Sequence, residues 1–444
     1  MPSARRQKPR RRGEQSSIYP WLAVVVAGTS ALLWFFPAPL ILVKAWLQNG
    51  TAGSDAPAPT DATLNELAMR ISGPLEKTVF ERKLVSKRVS AHSVVKEHGG
   101  FHFNVSRRLS PGLCLGFVAP WSQRGDEVTW RFGSKLTHLS PLMYGVDATG
   151  SLVLREKPRW LAALREGLAC PACPPPARLV PHVSLEGLDF ATFFAADAEQ
   201  EERAGRLLVA LLQQLVTLNL DGFVLDAHEH LARLPRAQRK DVAPRLHIFV
   251  QLLAQQLAHQ ERDGAHGGGE LLLLVPPHPE LFSPVQFAQL APALSGVVLS
   301  TANFSAVRGQ PGPSAPLKWM LAALKALEPA DEALPRLAAT MSLHGWDFEV
   351  DGGSSPSPPP PRARAIDGRE YVALLSEHRP RHLDWYPEAH EHVFGYSGTG
   401  GEQHSVYYPT LKSIAERLSV LRELGMGVAL WELGSGLDYW WDLL

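Results

Sequence analysis

Short apolar runs recur along the chain after residue 110, and several are separated by segments in which apolar positions have a helical spacing. Apolar runs of this length, bounded by turn residues, are typical of buried strands. Eight such runs predict eight strands, at residues 114–120, 136–142, 179–185, 222–226, 271–275, 296–300, 338–343 and 427–431.

Apolar residues three and four positions apart predict helices over 201–218, 242–260 and 411–424. Pro409 suits the first turn of the last helix, and Gly425 suits its C-terminal end. Strands that alternate with helices in this way predict an α/β fold, a single (β/α)8 barrel. A doubly wound open sheet is the alternative, but no glycine-rich phosphate-binding sequence follows the first predicted strand.

The N-terminal region has the pattern of a membrane anchor. Residues 1–15 are rich in Arg and Lys, whereas residues 16–43 contain no charged side chain. A segment of this length can cross the bilayer as a helix, and the basic tail should stay cytosolic. We therefore predict a signal anchor over 16–47 and a single-pass type II membrane protein that faces the secretory lumen or the cell exterior. A secreted or lysosomal protein with a cleaved signal peptide is the alternative.

Low-complexity segments divide the rest of the chain. Residues 48–80 include a Pro-, Ala- and Thr-rich stretch and predict a stalk. Residues 81–444 form the barrel domain, and residues 81–110 within it are a weakly patterned lead-in. Within this domain, residues 351–365 predict an inserted Pro-rich loop, because strand-like runs continue on both sides.

Charge and cysteine content narrow the function. Lys+Arg and Asp+Glu both number 44, which argues against a nucleic-acid-binding protein, and the 3 cysteines cannot form a disulfide framework. Asn-x-Ser/Thr sequons begin at Asn49, Asn104 and Asn303. We expect glycans at Asn49 and Asn104. Asn303 ends a predicted strand and should face into the barrel, so we expect its sequon to be unused.

The segment around the fourth predicted strand, residues 220–229 (LDGFVLDAHE), is the most informative part of the chain. It resembles the D-G-x-D-x-D-x-E signature of glycoside hydrolase family 18, the chitinase family. Residues 296–305 resemble that family's sixth strand, and residues 427–433 its eighth strand with a sugar-stacking tryptophan. Blocks at 116–121, 133–141, 310–317 and 431–439 resemble the chitinase-like lectin branch that contains the chitinase domain-containing proteins. The resemblance covers about 81–444.

Several positions depart from the family's catalytic pattern. The family's fourth-strand Glu protonates the glycosidic oxygen, and the substrate's own acetamido group is the nucleophile. Here Asp226 matches the signature, Val224 replaces an inner Asp, and His228 occupies the position of the catalytic Glu. Strand alternation predicts that the side chains at 224, 226 and 228 point into the barrel. Glu229 is one residue late, so it should point away from the barrel interior unless the strand has ended. In the sixth strand, Asn303 stands where the family has Asp.

Each candidate site residue has a structural alternative. Asp226 either fixes a ligand group or pairs with a neighbouring His or Arg. Trp431 either stacks on a sugar or packs in the barrel core, and the resemblance favours the sugar. Asn303 is the next polar group expected to orient a sugar. His228 and Glu229 are weak catalytic candidates, because a hydrogen-bonded structural His and a solvated Glu are the simpler interpretations.

No metal or cofactor is predicted. His228-Glu229-His230 offers two imidazoles, but no further ligands can be assigned, and Cys170-x-x-Cys173 supplies only half of a zinc site. A loop disulfide or two free thiols suits the cysteines better.

Three functions remain open. The favoured one is a non-catalytic protein that binds an oligosaccharide or glycoconjugate and is attached to the membrane through residues 16–43. The second is a weakly active glycosidase that uses Glu229 or His228. The third is an interaction protein whose barrel presents surfaces to an unidentified protein partner.

Overall fold

The computed structural model describes residues 71–444 except 107, 110, 111, 123, 156–176, 198, 261–267 and 351–361. The tail, the anchor segment, residues 48–70 of the expected stalk, Asn49, Cys170 and Cys173 lie outside the described residues. Among the residues that are described, no helix combines the length and hydrophobicity needed to cross a bilayer.

Strands form at all eight positions that the apolar runs predicted. The second and third barrel strands each consist of two short segments separated by two residues. In order, the eight strands are Cys114–Val118, His138–Pro141 with Tyr144–Val146, Arg178–Leu179 with His182–Ser184, Gly222–Asp226, Glu270–Val275, Gly296–Leu299, Leu337–Ser342 and Gly427–Trp431. A further short strand, Leu152–Leu154, pairs antiparallel with Tyr144–Val146.

The eight barrel strands pair in parallel with their neighbours around a ring. The third strand reaches the second through Arg178–Leu179 and the fourth through His182–Ser184. The eighth strand pairs with both the seventh and the first. Because the last strand meets the first, the pairing is that of a (β/α)8 barrel and not of an open doubly wound sheet.

Helices surround the strands. The three helices predicted from apolar spacing are present, and Gly425 has φ +70° directly after the last of them. Thr410, rather than Pro409, marks the start of that helix by accepting a hydrogen bond from the Ser413 amide. The helices are Ala91–Glu97, Gly125–Phe132, Phe190–Phe193, Gln200–Thr217, Arg236–His259, Pro284–Leu290, Phe304–Val307, Leu317–Lys325, Gly368–His378 and Leu411–Glu423.

Alternate strand residues divide the apolar core into two layers. Phe117, Val224 and Leu272 belong to a small cluster inside the barrel. Phe223 and Leu225 belong to the larger cluster between the strands and the helices. The side-chain phase expected for the fourth strand is therefore confirmed up to its end at Asp226.

An antiparallel sheet that the apolar runs did not predict lies between the seventh and eighth barrel strands. It consists of Gly345–Val350, Ala363–Ile366, Asp384–Tyr386, Glu391–Ser397 and Gln403–Tyr408. Gly345–Val350 and Ala363–Ile366 pair with each other, so the Pro-rich residues between them connect two neighbouring strands. This sheet brings additional aromatic side chains to the barrel.

The folded body begins earlier than the sequence indicated. Ser72–Leu75 pairs in parallel with Gly99–His102, and Val79 is completely buried. The Val79 amide donates a hydrogen bond to the Asp442 carboxylate at 2.9 Å. Residues 71–80, which the low-complexity pattern had assigned to the stalk, are thus packed against the C-terminal end of the chain.

Candidate functional site

Asp226 ends the fourth barrel strand and lies between two histidines. Its Oδ2 atom is 3.6 Å from Nε2 of His182, in the third strand, and 3.5 Å from Nε2 of His230. These separations suit ion pairs and are too long for good hydrogen bonds. Nε2 of both histidines and Oδ1 of Asp226 have no hydrogen-bond partner among the described residues. The cluster therefore carries unused donors and acceptors at the C-terminal end of the barrel.

The same cluster holds separated charges. Burial acts to raise the pKa of Asp226, but His230 and His182 outweigh it and keep this pKa well below its usual range. Burial acts to lower the pKa of His230, but the Asp226 carboxylate raises it overall. Both shifts favour an aspartate that is ionised and a histidine that is protonated.

His228 does not face the barrel interior, contrary to the expectation from strand alternation. The strand ends at Asp226, and the chain turns into a 3-10 helix at Glu229–Arg233. The His228 ring is fully buried, stacks on His247 at 5.3 Å between centroids, and meets the edge of Phe282 at 4.9 Å. Burial lowers its pKa to about 3, so this imidazole is neutral at physiological pH. His228 is thus packed against His247 and Phe282 instead of lining the barrel interior.

Glu229 is closer to the site than the strand phase suggested, because the strand has already ended. Glu229 is an exposed residue whose carboxyl group is nevertheless partly desolvated by neighbouring protein groups. This desolvation and the Asp226 charge raise the pKa of Glu229 to about 7, against the opposing effects of His230 and Arg233. A carboxyl group in this state can hold a proton near neutral pH.

Trp431 ends the eighth strand at the top of the barrel interior. Its ring is half-buried and lies 4.7 Å from the Phe117 ring and 6.3 Å from the His182 ring, centroid to centroid. Both interpretations of Trp431 thus have a structural basis. It packs on the barrel core, and it places an aromatic surface beside the cluster around Asp226.

Asn303 lies in a second polar network at the same end of the barrel. It adopts a left-handed backbone conformation with φ +62°, directly before the helix Phe304–Val307. Its Oδ1 atom accepts hydrogen bonds from Nε2 of His344 at 3.1 Å and from Nε1 of Trp346 at 3.2 Å. The amide oxygen expected to orient a sugar is therefore already held by protein donors.

Glu432 completes this second network. Its Oε2 atom lies 2.8 Å from Nδ1 of His344, and its Oε1 atom accepts a hydrogen bond of 2.6 Å from Nε1 of Trp121. Burial acts to raise the pKa of Glu432, but His344, Trp121 and Ser435 lower it overall. Glu432 also has a left-handed φ of +64°, a strained conformation for a residue other than glycine.

The sequence analysis missed His182, His344 and Glu432. His344 follows the seventh predicted strand and Glu432 the eighth, so a polar residue at the C-terminal end of a predicted strand was the available signal for both. His182 lies inside the third predicted strand and begins its second segment, where this signal is lacking. Trp346 had no such signal, since it belongs to the unpredicted antiparallel sheet.

The described part of the chain contains no group of three or more His, Cys, Asp or Glu side chains arranged to hold a metal ion.

Comparison with known proteins gives the type of fold. The sequence matches no family model. Similar solved structures include a chitinase from Chromobacterium violaceum, at 17% identity and a TM-score of 0.59 over 75% of this chain and 97% of that chain. The spore cortex-lytic enzyme SleL of Bacillus megaterium matches at 16% identity and a TM-score of 0.59, over 84% of this chain and 85% of that chain. A mutant class V chitinase from Nicotiana tobaccum in complex with NAG4 matches at 13% identity and a TM-score of 0.57, over 74% of this chain and 97% of that chain.

These similarities establish that the described residues have the fold of chitinase-type glycoside hydrolases, as the family 18 resemblance implied. At such identities they establish the fold alone, because one barrel architecture supports many chemistries.

Proposed function

We propose that this chain is a chitinase-like carbohydrate-binding protein that binds chito-oligosaccharide-type glycans at the barrel mouth and lacks appreciable hydrolytic activity. The observation that carries the proposal is the position of Trp431 beside polar atoms of His182, Asp226 and His230 that lack hydrogen-bond partners among the described residues. A sugar ring needs a flat apolar partner for one face and hydrogen-bond partners for its hydroxyl groups. Polar atoms that lack hydrogen-bond partners in the protein are suited to supply the second.

The absence of hydrolysis is proposed from the position of the catalytic acid. His228, which replaces the family's Glu, is buried against His247 and Phe282 and is a neutral imidazole at neutral pH. General acid catalysis is worth roughly 10²–10⁴ in rate, and this residue cannot supply it. The engaged Oδ1 of Asn303 also leaves no counterpart for the group that orients the acetamido nucleophile.

The test is the affinity for N-acetylglucosamine tetramers, measured by calorimetry. Trp431→Ala should weaken binding at least about tenfold, roughly 1.4 kcal/mol, a scale known for stacked aromatic contacts with nucleobases and used here by analogy. Trp431→Phe should retain most of the affinity, because an aromatic platform remains. Trp130→Ala is the matched control, since Trp130 is 44% exposed on an outer helix. Unchanged affinity in a folded Trp431→Ala protein contradicts mouth binding and favours the interaction-protein function.

Glu229 supports a second candidate function, a weak glycosidase with a displaced acid. Its exposed carboxyl group lies near Asp226 and its pKa is raised to about 7, which suits a general acid near neutral pH. We rank this function second because no residue pair that would orient an acetamido group accompanies it.

Binding of NAG4 by the tobacco chitinase supports a chito-oligosaccharide as ligand, since the two proteins share a fold. Assignment to the branch of the chitinase domain-containing proteins remains part of this proposal and rests on the sequence blocks at 116–121, 133–141, 310–317 and 431–439.

We also propose that residues 16–43 anchor the protein in a membrane with the barrel in the secretory lumen. The support is the uncharged segment behind a basic tail. Release of the intact full-length protein by alkaline carbonate extraction would contradict the anchor, and a mature N-terminus beyond residue 43 would show a cleaved signal.

A further inference from the structure

A cavity of about 340 Å³ lies away from the barrel mouth. Its lining includes Leu109 and Lys135, which precede the first and second barrel strands. The cavity is therefore at the N-terminal ends of the strands, whereas the candidate carbohydrate site is at their C-terminal ends. Its volume falls within the range of about 300–1,000 Å³ that is usual for small-molecule sites.

Asn104 lines this cavity and begins an Asn-x-Ser sequon. The residue is exposed, and its Oδ1 atom accepts a hydrogen bond of 3.2 Å from the Ser106 amide. This local turn fixes the side chain at the cavity wall. A glycan attached to Asn104 would therefore begin at the cavity.

The cavity wall has the chemistry of a neutral sugar site. Phe80 lines it and is 49% exposed, so an aromatic face is available to the apolar face of a sugar ring. The same lining contains the carboxyl groups of Glu76, Glu81 and Asp442, the ammonium of Lys135 and the imidazole of His102. Three carboxyl groups against one ammonium disfavour an anionic ligand, and carboxylate oxygens accept hydrogen bonds from sugar hydroxyl groups.

We propose that this cavity is the seat of the innermost N-acetylhexosamine of a glycan linked to Asn104, and that the attached sugar stabilises the fold. In the attachment step, Nδ2 of Asn104 loses a proton and forms a bond to the anomeric carbon of an oligosaccharide. The donor is a lipid diphosphate-linked oligosaccharide, and the lipid diphosphate leaves with the electrons of the broken bond. The proposal depends on the secretory location and not on sugar binding at the mouth.

The experiment uses the full-length chain secreted or membrane-inserted by a glycosylating host, with occupancy measured by glycopeptide mass spectrometry. Asn104→Gln and Ser106→Ala should each lower the melting temperature by about 2 °C or more, because both remove the same glycan. Enzymatic trimming to the single innermost sugar should preserve the melting temperature. Asn49→Gln is the control and should leave it unchanged.

The Phe80→Ala variant distinguishes a sugar that occupies the cavity from one that is only attached to Asn104. This change should lower the melting temperature of the glycosylated protein and should have a clearly smaller effect in the Ser106→Ala background, where no sugar contacts the ring. Equal effects in the two backgrounds overturn the proposal. An occupied Asn49 with an unoccupied Asn104 overturns it while leaving the secretory location intact, and the absence of any glycan contradicts both.

Discussion

Oδ2 of Asp226 lies 3.5 Å from Nε2 of His230, across the point where the fourth barrel strand ends and the next turn begins. The two groups shift each other's pKa in opposite directions, downward for Asp226 and upward for His230. The raised pKa of His230 gives a stabilisation that is complete below about pH 6.5 and is lost as pH rises through the folded-state value. The lowered pKa of Asp226 gives a stabilisation that is fully present above about pH 4 and is lost as the pH falls through the folded-state pKa.

Asp226→Asn should therefore destabilise the protein most between about pH 4 and 6.5, by about 3 kcal/mol, because it leaves a protonated His230 without its partner. The difference in unfolding free energy from the wild type should shrink above the raised pKa of His230. Urea unfolding at several pH values measures this. Asp241→Asn, at an exposed position, is the control, and a pH-independent difference would show that the pair does not form.

The stacked pair of His228 and His247 should make the protein sensitive to acid. Burial lowers their pKa values to about 3 and about 4, so below about pH 6.5 the unfolded chain binds protons that the folded chain does not. As the pH falls below about 6.5, the free energy of unfolding should decrease by about 1.4 kcal/mol per pH unit for each histidine.

His228→Leu should reduce that slope between pH 6.5 and 5 and should cost little at pH 7, because both ring nitrogens of His228 lack partners among the described residues. Denaturant unfolding at the two pH values gives the slope. Equal slopes in variant and wild type would be inconsistent with a buried neutral His228.

The sequon at Asn303 should be unoccupied in a glycosylating host. The Asn303 side chain is held by His344 and Trp346, and the Ser305 hydroxyl is buried and donates to the Pro313 carbonyl at 2.8 Å. Glycopeptide mass spectrometry tests this directly, with Asn104 as the exposed comparison. A glycan found at Asn303 would obstruct the mouth and contradict the proposed binding site.

Glu229→Gln should leave affinity for chito-oligosaccharides within about twofold, since the proposed site does not require an acid. We expect no turnover of a fluorogenic chito-oligosaccharide by the wild type, because one positioned acid without an oriented nucleophile forgoes most of the available catalysis. Glu186→Gln, at a neighbouring mouth carboxylate that pairs with Arg233, is the control. Wild-type turnover that disappears only in Glu229→Gln would establish the second candidate function.

The sequence by itself determined the barrel. Strands buried on both faces need uninterrupted apolar runs. Such a run is a local feature of the sequence, so the residues at 222–226 and 427–431 predict strands by themselves. It also placed Asp226 and Trp431 at strand ends that share one face of the barrel. The sequence did not predict the antiparallel sheet at 345–408, because its short strands mix aromatic and charged residues instead of forming apolar runs.

Only the tertiary structure decided what the strand ends do. Alternation of side chains predicts direction while a strand lasts, and the strand that contains Asp226 ends two residues before His228. The following turn sends His228 against His247 and leaves Glu229 near the Asp226 charge. Likewise, the contact between His344 and Glu432 joins residues far apart in sequence. Such pairings depend on how separate strands are positioned around the barrel, and no local pattern of residues encodes that geometry.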